Sequence, residues 1–116
     1  MELPEIIASL KQADLKILFI EQLQKDFDVS GAGIVIPEEV KNEILLIPEF
    51  LVKSIGNLQK NNPGILSSLL YRIDIQERQI NAQTLLNPSA NHDEVLAIVI
   101  MKRILQKIIL RKKFSG

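Results

Sequence analysis

The chain has 116 residues, 47% of them apolar and 24% charged, a size and balance that fit one globular domain and exclude a disordered segment. It carries no cysteine, which excludes a disulfide framework, a thiolate metal site and a thiol nucleophile, and which suits a cytoplasmic location. Net charge is zero, yet residues 1–50 hold ten acids and four bases while residues 51–116 hold four acids and ten bases, so the halves stand at −6 and +6.

The start, MELPEII, lacks the basic segment and long apolar run of an export signal, so export is not expected. Pro4 suits the first turn of a short helix to Leu10, where its missing N–H is no loss, with Leu3, Ile6, Ile7 and Leu10 as its apolar stripe. The next stripe, Leu15, Phe19, Ile20, Leu23 and Phe27, is out of phase with the first. That shift places a break at Lys11–Asp14, with Asp14 as the N-cap of a second helix running to Asp28. Asp14, Glu21, Lys25 and Asp28 form its solvated side.

Ser30-Gly31-Ala32-Gly33 ends that helix, and Ile34-Val35-Ile36 follows as an apolar connector. With no second strand-like run to pair with it, a loop is expected rather than a strand. The two glycines do not make a phosphate cradle, because a helix precedes them and Glu38 and Glu39 follow where phosphate would sit. Pro37 opens a third helix, with Val35 stapled on Val40. The stripe Val40, Ile44, Ile47, Leu51, Ile55 and Leu58 keeps its phase across Pro48, which predicts one helix to Lys60 with a kink at Pro48.

Asn61-Asn62-Pro63-Gly64 is turn and helix-start punctuation, with Asn62 as N-cap of a fourth helix over Pro63–Ile73. The following IDIQERQINAQTLLN has weak periodicity, with a turn of helix anchored by Leu85 and Leu86. After the loop Asn87–Ala90, Asn91 and Glu94 pair as a capping box at the head of the final helix, His92–Phe114. Its longest apolar run, Val95–Met101, falls far short of the roughly 20 residues of a membrane span, so none is expected.

On this last helix Ala97, Ile98, Met101, Ile104, Leu105, Ile108 and Ile109 share one broad arc, with Lys102, Arg103, Gln106 and Lys107 on the opposite side. Leu96, Val99, Ile100 and Leu110 are surplus to that arc, along with Val95, and each left in water forgoes about 1.5–3 kcal/mol of burial. Two covers are open: other helices of the same chain, or a second subunit or protein partner. Arg103, Lys107 and Arg111, at four-residue steps, make a basic stripe that either pairs with acids of the N-terminal half or meets phosphates.

No catalytic constellation emerges. His92 is the one histidine, and its neighbours Asp93 and Glu94 point elsewhere around a helix, so neither a metal site nor acid–base chemistry is expected. Ser67 and Ser68 have no histidine near them in sequence. The polar knot Tyr71-Arg72-Ile73-Asp74, with Glu77 and Arg78, reads as a joint, Arg72 anchoring a neighbouring helix through a carboxylate, or as a charged rim for a partner.

The run LLYRIDI at Leu69–Ile75 followed by VLAIVIMKRILQKIILRKKF resembles the C-terminal half of small all-helical bacterial proteins without an assigned activity. The resemblance implies a helical fold and transfers no functional residue. The sequence thus predicts a single all-α domain over residues 1–116, a bundle of four main helices plus short helical pieces, without enzymatic activity or cofactor. The expected function is a protein-interaction or assembly domain, through self-association or a protein partner. The alternative is weak nucleic-acid or anionic-polymer binding through the basic C-terminal helix.

Overall fold

The computed structural model describes residues 2–115, which form seven α-helices and one short 3-10 turn and, among the described residues, no strand. The all-α expectation stands, but four main helices is an undercount, and two local events account for it.

The helices α1 (Leu3–Leu10) and α2 (Ala13–Ser30) meet at Lys11–Gln12, where the phase of the apolar stripe changes. The backbone N–H of Glu2 donates to the Glu5 carboxylate at 3.0 Å, closing the head of α1, and Ile6 and Leu10 are buried one turn apart. Gln12, not Asp14, occupies the N-cap of α2. Asp14 lies inside the first turn, where its carboxylate accepts from the Leu15 N–H and meets Lys112. Leu15, Phe19, Leu23 and Phe27 are the buried stripe of α2. Its C-terminus closes as a Schellman motif: Gly31 takes φ 81°, its N–H donates to Asp28 O and the N–H of Ala32 donates to Phe27 O.

The connector over residues 32–37 is a loop, as its lack of a partner strand required. Its backbone is satisfied by a side chain: Gln24 Nε2 donates to Ile34 O at 2.8 Å, and the N–H of Ile36 donates to Gln24 Oε1 at 2.9 Å. One carboxamide thus does for this segment what a neighbouring strand would do. Ile36 is buried while Val35 faces solvent, so the predicted staple of Val35 on Val40 does not form.

The first departure in helix count follows. In place of one kinked helix there are α3 (Glu38–Asn42), a 3-10 turn (Ile44–Leu46) and α4 (Ile47–Asn61). Pro48 has no N–H to donate and its ring collides with the carbonyl four residues back, so the helix stops before it and restarts with Pro48 in its first turn. The break is at Glu43, which is extended at φ −129° and ψ 102°, its carboxylate accepting from the Leu45 N–H. The 3-10 turn restores the lost rotation, so Val40 and Ile47 both face the core and the stripe keeps its phase through a broken backbone.

Helix α5 (Pro63–Ile73) has the predicted bounds, with Asn62 just before it although its side chain makes no capping bond. Asp74 then adopts φ 68°, a left-handed position usually held by glycine, its N–H donating to Tyr71 O and that of Ile75 to Leu70 O. The second departure is α6 (Glu77–Leu86), a full helix whose one buried residue is Gln83. Leu85 and Leu86, expected as its anchors, are exposed.

Helix α7 (His92–Ser115) is the axis, packing against α1, α2, α4, α5 and α6. Asn91 and Glu94 exchange the reciprocal bonds of a capping box at its head, at 3.0 and 2.9 Å. Gly56 of α4 allows close approach there: a Cβ at that position would stand 3.3 Å from the Asp93 carboxylate, which accepts from Gln59. Phe27 and Phe50 meet edge to face, their ring centroids 6.3 Å apart, joining α2 to α4. The radius of gyration is 13.5 Å, against about 13 Å for a compact chain of this length. No helix among the described residues is long and apolar enough to cross a membrane.

Candidate functional site

The surplus apolar residues of α7 separate into two sets. Leu96, Val99 and Ile100 are 1%, 4% and 0% exposed, so the chain covers them itself and they form no surface. Seven successive residues, Val95 to Met101, are buried, which at about 100° per residue closes every direction around the axis. Leu110 differs: it is 50% exposed, and Phe114, one turn further, is 81% exposed. At that angular step both lie opposite the core residues Met101, Ile104 and Ile108, on the line that runs back through Arg103 to Val99. Helix α6 flanks that line from Val99 to Gln106. It is about 15 Å long against about 36 Å for α7, so Leu110 and Phe114 run on past it.

The basic stripe is held by the chain's own polar groups. Arg103 Nη2 donates to Asp74 Oδ2 at 3.1 Å, Lys107 Nζ to Arg72 O at 3.4 Å, and Arg111 Nη2 to Gln22 Oε1 at 2.9 Å. Partial burial holds the Lys107 ammonium below its ordinary value of 10.5, against the opposing pull of Asp26. Among the described residues none of the three is bonded to an acid of the N-terminal half. The expectation that Arg72 anchors a neighbouring helix is met: its Nε donates to Asp26 Oδ1 at 3.0 Å, tying α5 to α2.

Asp26 is the residue that sequence reasoning passed over. It is 1% exposed; its Oδ1 also accepts from Gln22 Nε2 at 3.0 Å, and its Oδ2 has no partner among the described residues. A signal was present, because Asp26 stands seven residues after Phe19 and three after Leu23, inside the apolar arc of α2. A carboxylate there must find a donor or unfold the site. With Asp14 on Lys112 and Asp26 on Arg72, acids of the N-terminal half pair with bases of the C-terminal half, which accounts for part of the charge asymmetry.

His92 is exposed at the head of α7, and among the described residues no three His, Cys, Asp or Glu side chains converge as a metal site would require. Ser67 and Ser68 are exposed on α5, the latter bonded back to Gly64 O. What remains as a candidate is the outer line of α7, from the seam with α6 to Leu110 and Phe114. No family model matches the chain, and neither a curated protein nor a solved structure is found similar to it.

Proposed function

We propose that this chain is a non-catalytic protein-interaction or assembly domain whose contact surface is the C-terminal end of α7. The observation that carries the reading is the pair Leu110 and Phe114, large, exposed and one helical turn apart on a helix whose other aliphatic residues are mostly covered. Leaving both in water forgoes several kcal/mol of burial, at about 1.5–3 kcal/mol per large apolar side chain. A partner that continues where α6 stops, a second copy of the chain or another protein, recovers it.

Nucleic-acid binding through α7 is the weaker reading. Arg103, Lys107 and Arg111 are already donating within the chain, which leaves Lys102 and Lys113 as its main contacts. Sedimentation velocity over a hundredfold concentration range tests the assembly version. Association that disappears in Leu110→Glu and Phe114→Glu, with thermal stability intact, is the expected result. A monomer at the highest concentration, with both variants indistinguishable from the parent, removes self-association and leaves a heterologous partner as the only form of the proposal. Retention of nucleic acid at low salt, falling steeply as salt rises, would favour the weaker reading instead.

A further inference from the structure

We propose that the seam between α6 and α7 is a binding cleft for a small oxyanion, a carboxylate or phosphate carried on a short apolar body. The cleft has a volume of about 250 Å³ and its polar lining is Gln79 and Gln83 from α6 with Lys102, Arg103 and Gln106 from α7. Ala82, Leu86 and Val99 complete it with an apolar wall. No carboxylate is in the lining, which holds two cations and three glutamines.

Three features mark the seam as more than imperfect packing. A helix resting on an apolar axis is expected to turn aliphatic residues toward it, and α6 turns only the half-buried Ile80 to the core while its one buried residue is Gln83. That carboxamide is held by the Glu2 carboxylate, which accepts from Gln83 Nε2 at 3.3 Å and from Asn87 Nδ2 at 3.2 Å, so α6 is fixed by polar bonds to the start of the chain. Arg103 is oriented by Asp74 through Nη2, while its Nε is shielded from solvent and has no acceptor among the described residues. That Nε is closed to the cleft as it is to solvent, but Asp74 takes only one of the other guanidinium N–H donors, the side chain is 26% exposed, and an oxyanion is the acceptor those remaining donors match best. Asp74 and Glu2 touch lining residues from outside and lower the local positive charge without filling the cleft. At this size the occupant is a small molecule, below the usual range of pockets for larger ligands.

The test is a titration of the ¹⁵N-labelled full chain at constant ionic strength with three probes: sodium butyrate, inorganic phosphate and neutral butyramide. The expected result is a saturable shift, with butyrate or with phosphate, of the side-chain amides of Gln79, Gln83 and Gln106 and the backbone amides of Lys102 and Arg103. Butyramide at equal concentration leaves them in place. Butyrate alone assigns a carboxylate, phosphate alone a phosphoryl group, and both an unselective oxyanion site. Arg103→Gln weakens binding about tenfold or more and Lys102→Gln severalfold, while Lys113→Gln, at the exposed end of α7, leaves it unchanged. Should Arg103→Gln fail to fold, Lys102→Gln decides. The proposal is overturned if neither anion shifts these amides, if butyramide shifts them equally, or if Lys102→Gln binds as the parent does.

Discussion

The two halves of α7 are one continuous helix in opposite environments. From Val95 to Met101 every residue is buried, and all but Val95 and Val99 belong to the aliphatic core shared with the other helices. From Arg103 to Arg111 the helix keeps one buried face, Ile104, Leu105 and Ile108, while its other side is bonded to Asp74, to the carbonyl of Arg72 and to Gln22. The difference is set by the neighbours more than by α7 itself. A residue such as Leu110 has the character of the first half and the surroundings of the second. The dry half supplies cohesion through area and close packing. The polar half supplies register, because a bond from Arg111 to Gln22 or from Arg72 to Asp26 forms at one axial position and is lost on sliding by a turn.

Five variants break or sharpen this contrast. Leu96→Glu puts a carboxylate where no donor waits, and the expected outcome is a chain that is unfolded or has lost more than about 4 kcal/mol in chemical denaturation. In the polar half, Asp26→Ala strands the half-buried Arg72 and should cost about 2–3 kcal/mol, below the range of about 3–5 kcal/mol for a fully buried pair because Arg72 retains some solvent. The double variant Asp26→Leu with Arg72→Met should recover most of that loss, since both charges then leave together; a double variant as unstable as the single would place the role of Asp26 elsewhere.

Lys107 gives a smaller, pH-dependent effect. Its folded-state value lies below 10.5 through burial, so between that lowered value and 10.5 the unfolded chain binds more protons than the folded one. Its contribution therefore rises as pH increases through that window. Lys107→Met should flatten the alkaline limb of the stability profile, measured by denaturant midpoint between neutral and high pH. Leu110→Glu is the smallest perturbation, expected within about 0.5 kcal/mol of the parent as for other exposed positions. A large destabilisation there would mean that the end of α7 is covered in the folded chain.

Much of the architecture was legible because it is written in apolar periodicity and end signals. The bounds of α5, the break after Leu10 and the capping box of α7 follow from Pro63, from a phase shift and from Asn91 with Glu94. The break between α3 and α4 was not, because the 3-10 turn preserves the angular phase on which the reading relied. In the sequence, helix α6 shows only one turn for a related reason: its buried position is an amide, invisible to hydrophobic periodicity, and its leucines face outward. The candidate site suffered the reverse error. Leu96, Val99 and Ile100 look like surface only if their cover is sought in helices recognisable by their own apolar stripes. The basic stripe looked available because its acceptors are a glutamine, a backbone carbonyl and an acid placed by a left-handed turn.

The bridge from Gln24 to the connector carries a kinetic consequence. The amide hydrogen of Ile36 is held by a side chain rooted in the middle of α2 rather than by an adjacent backbone, and its exchange with solvent requires that side chain to let go. Because the same carboxamide also grips Ile34 O, both ends of the bridge release together. Deuterium uptake at Ile36 should thus be slow for a loop amide, at a rate set by release of the Gln24 side chain. A segment with no regular structure of its own is thereby tied to the helix before it.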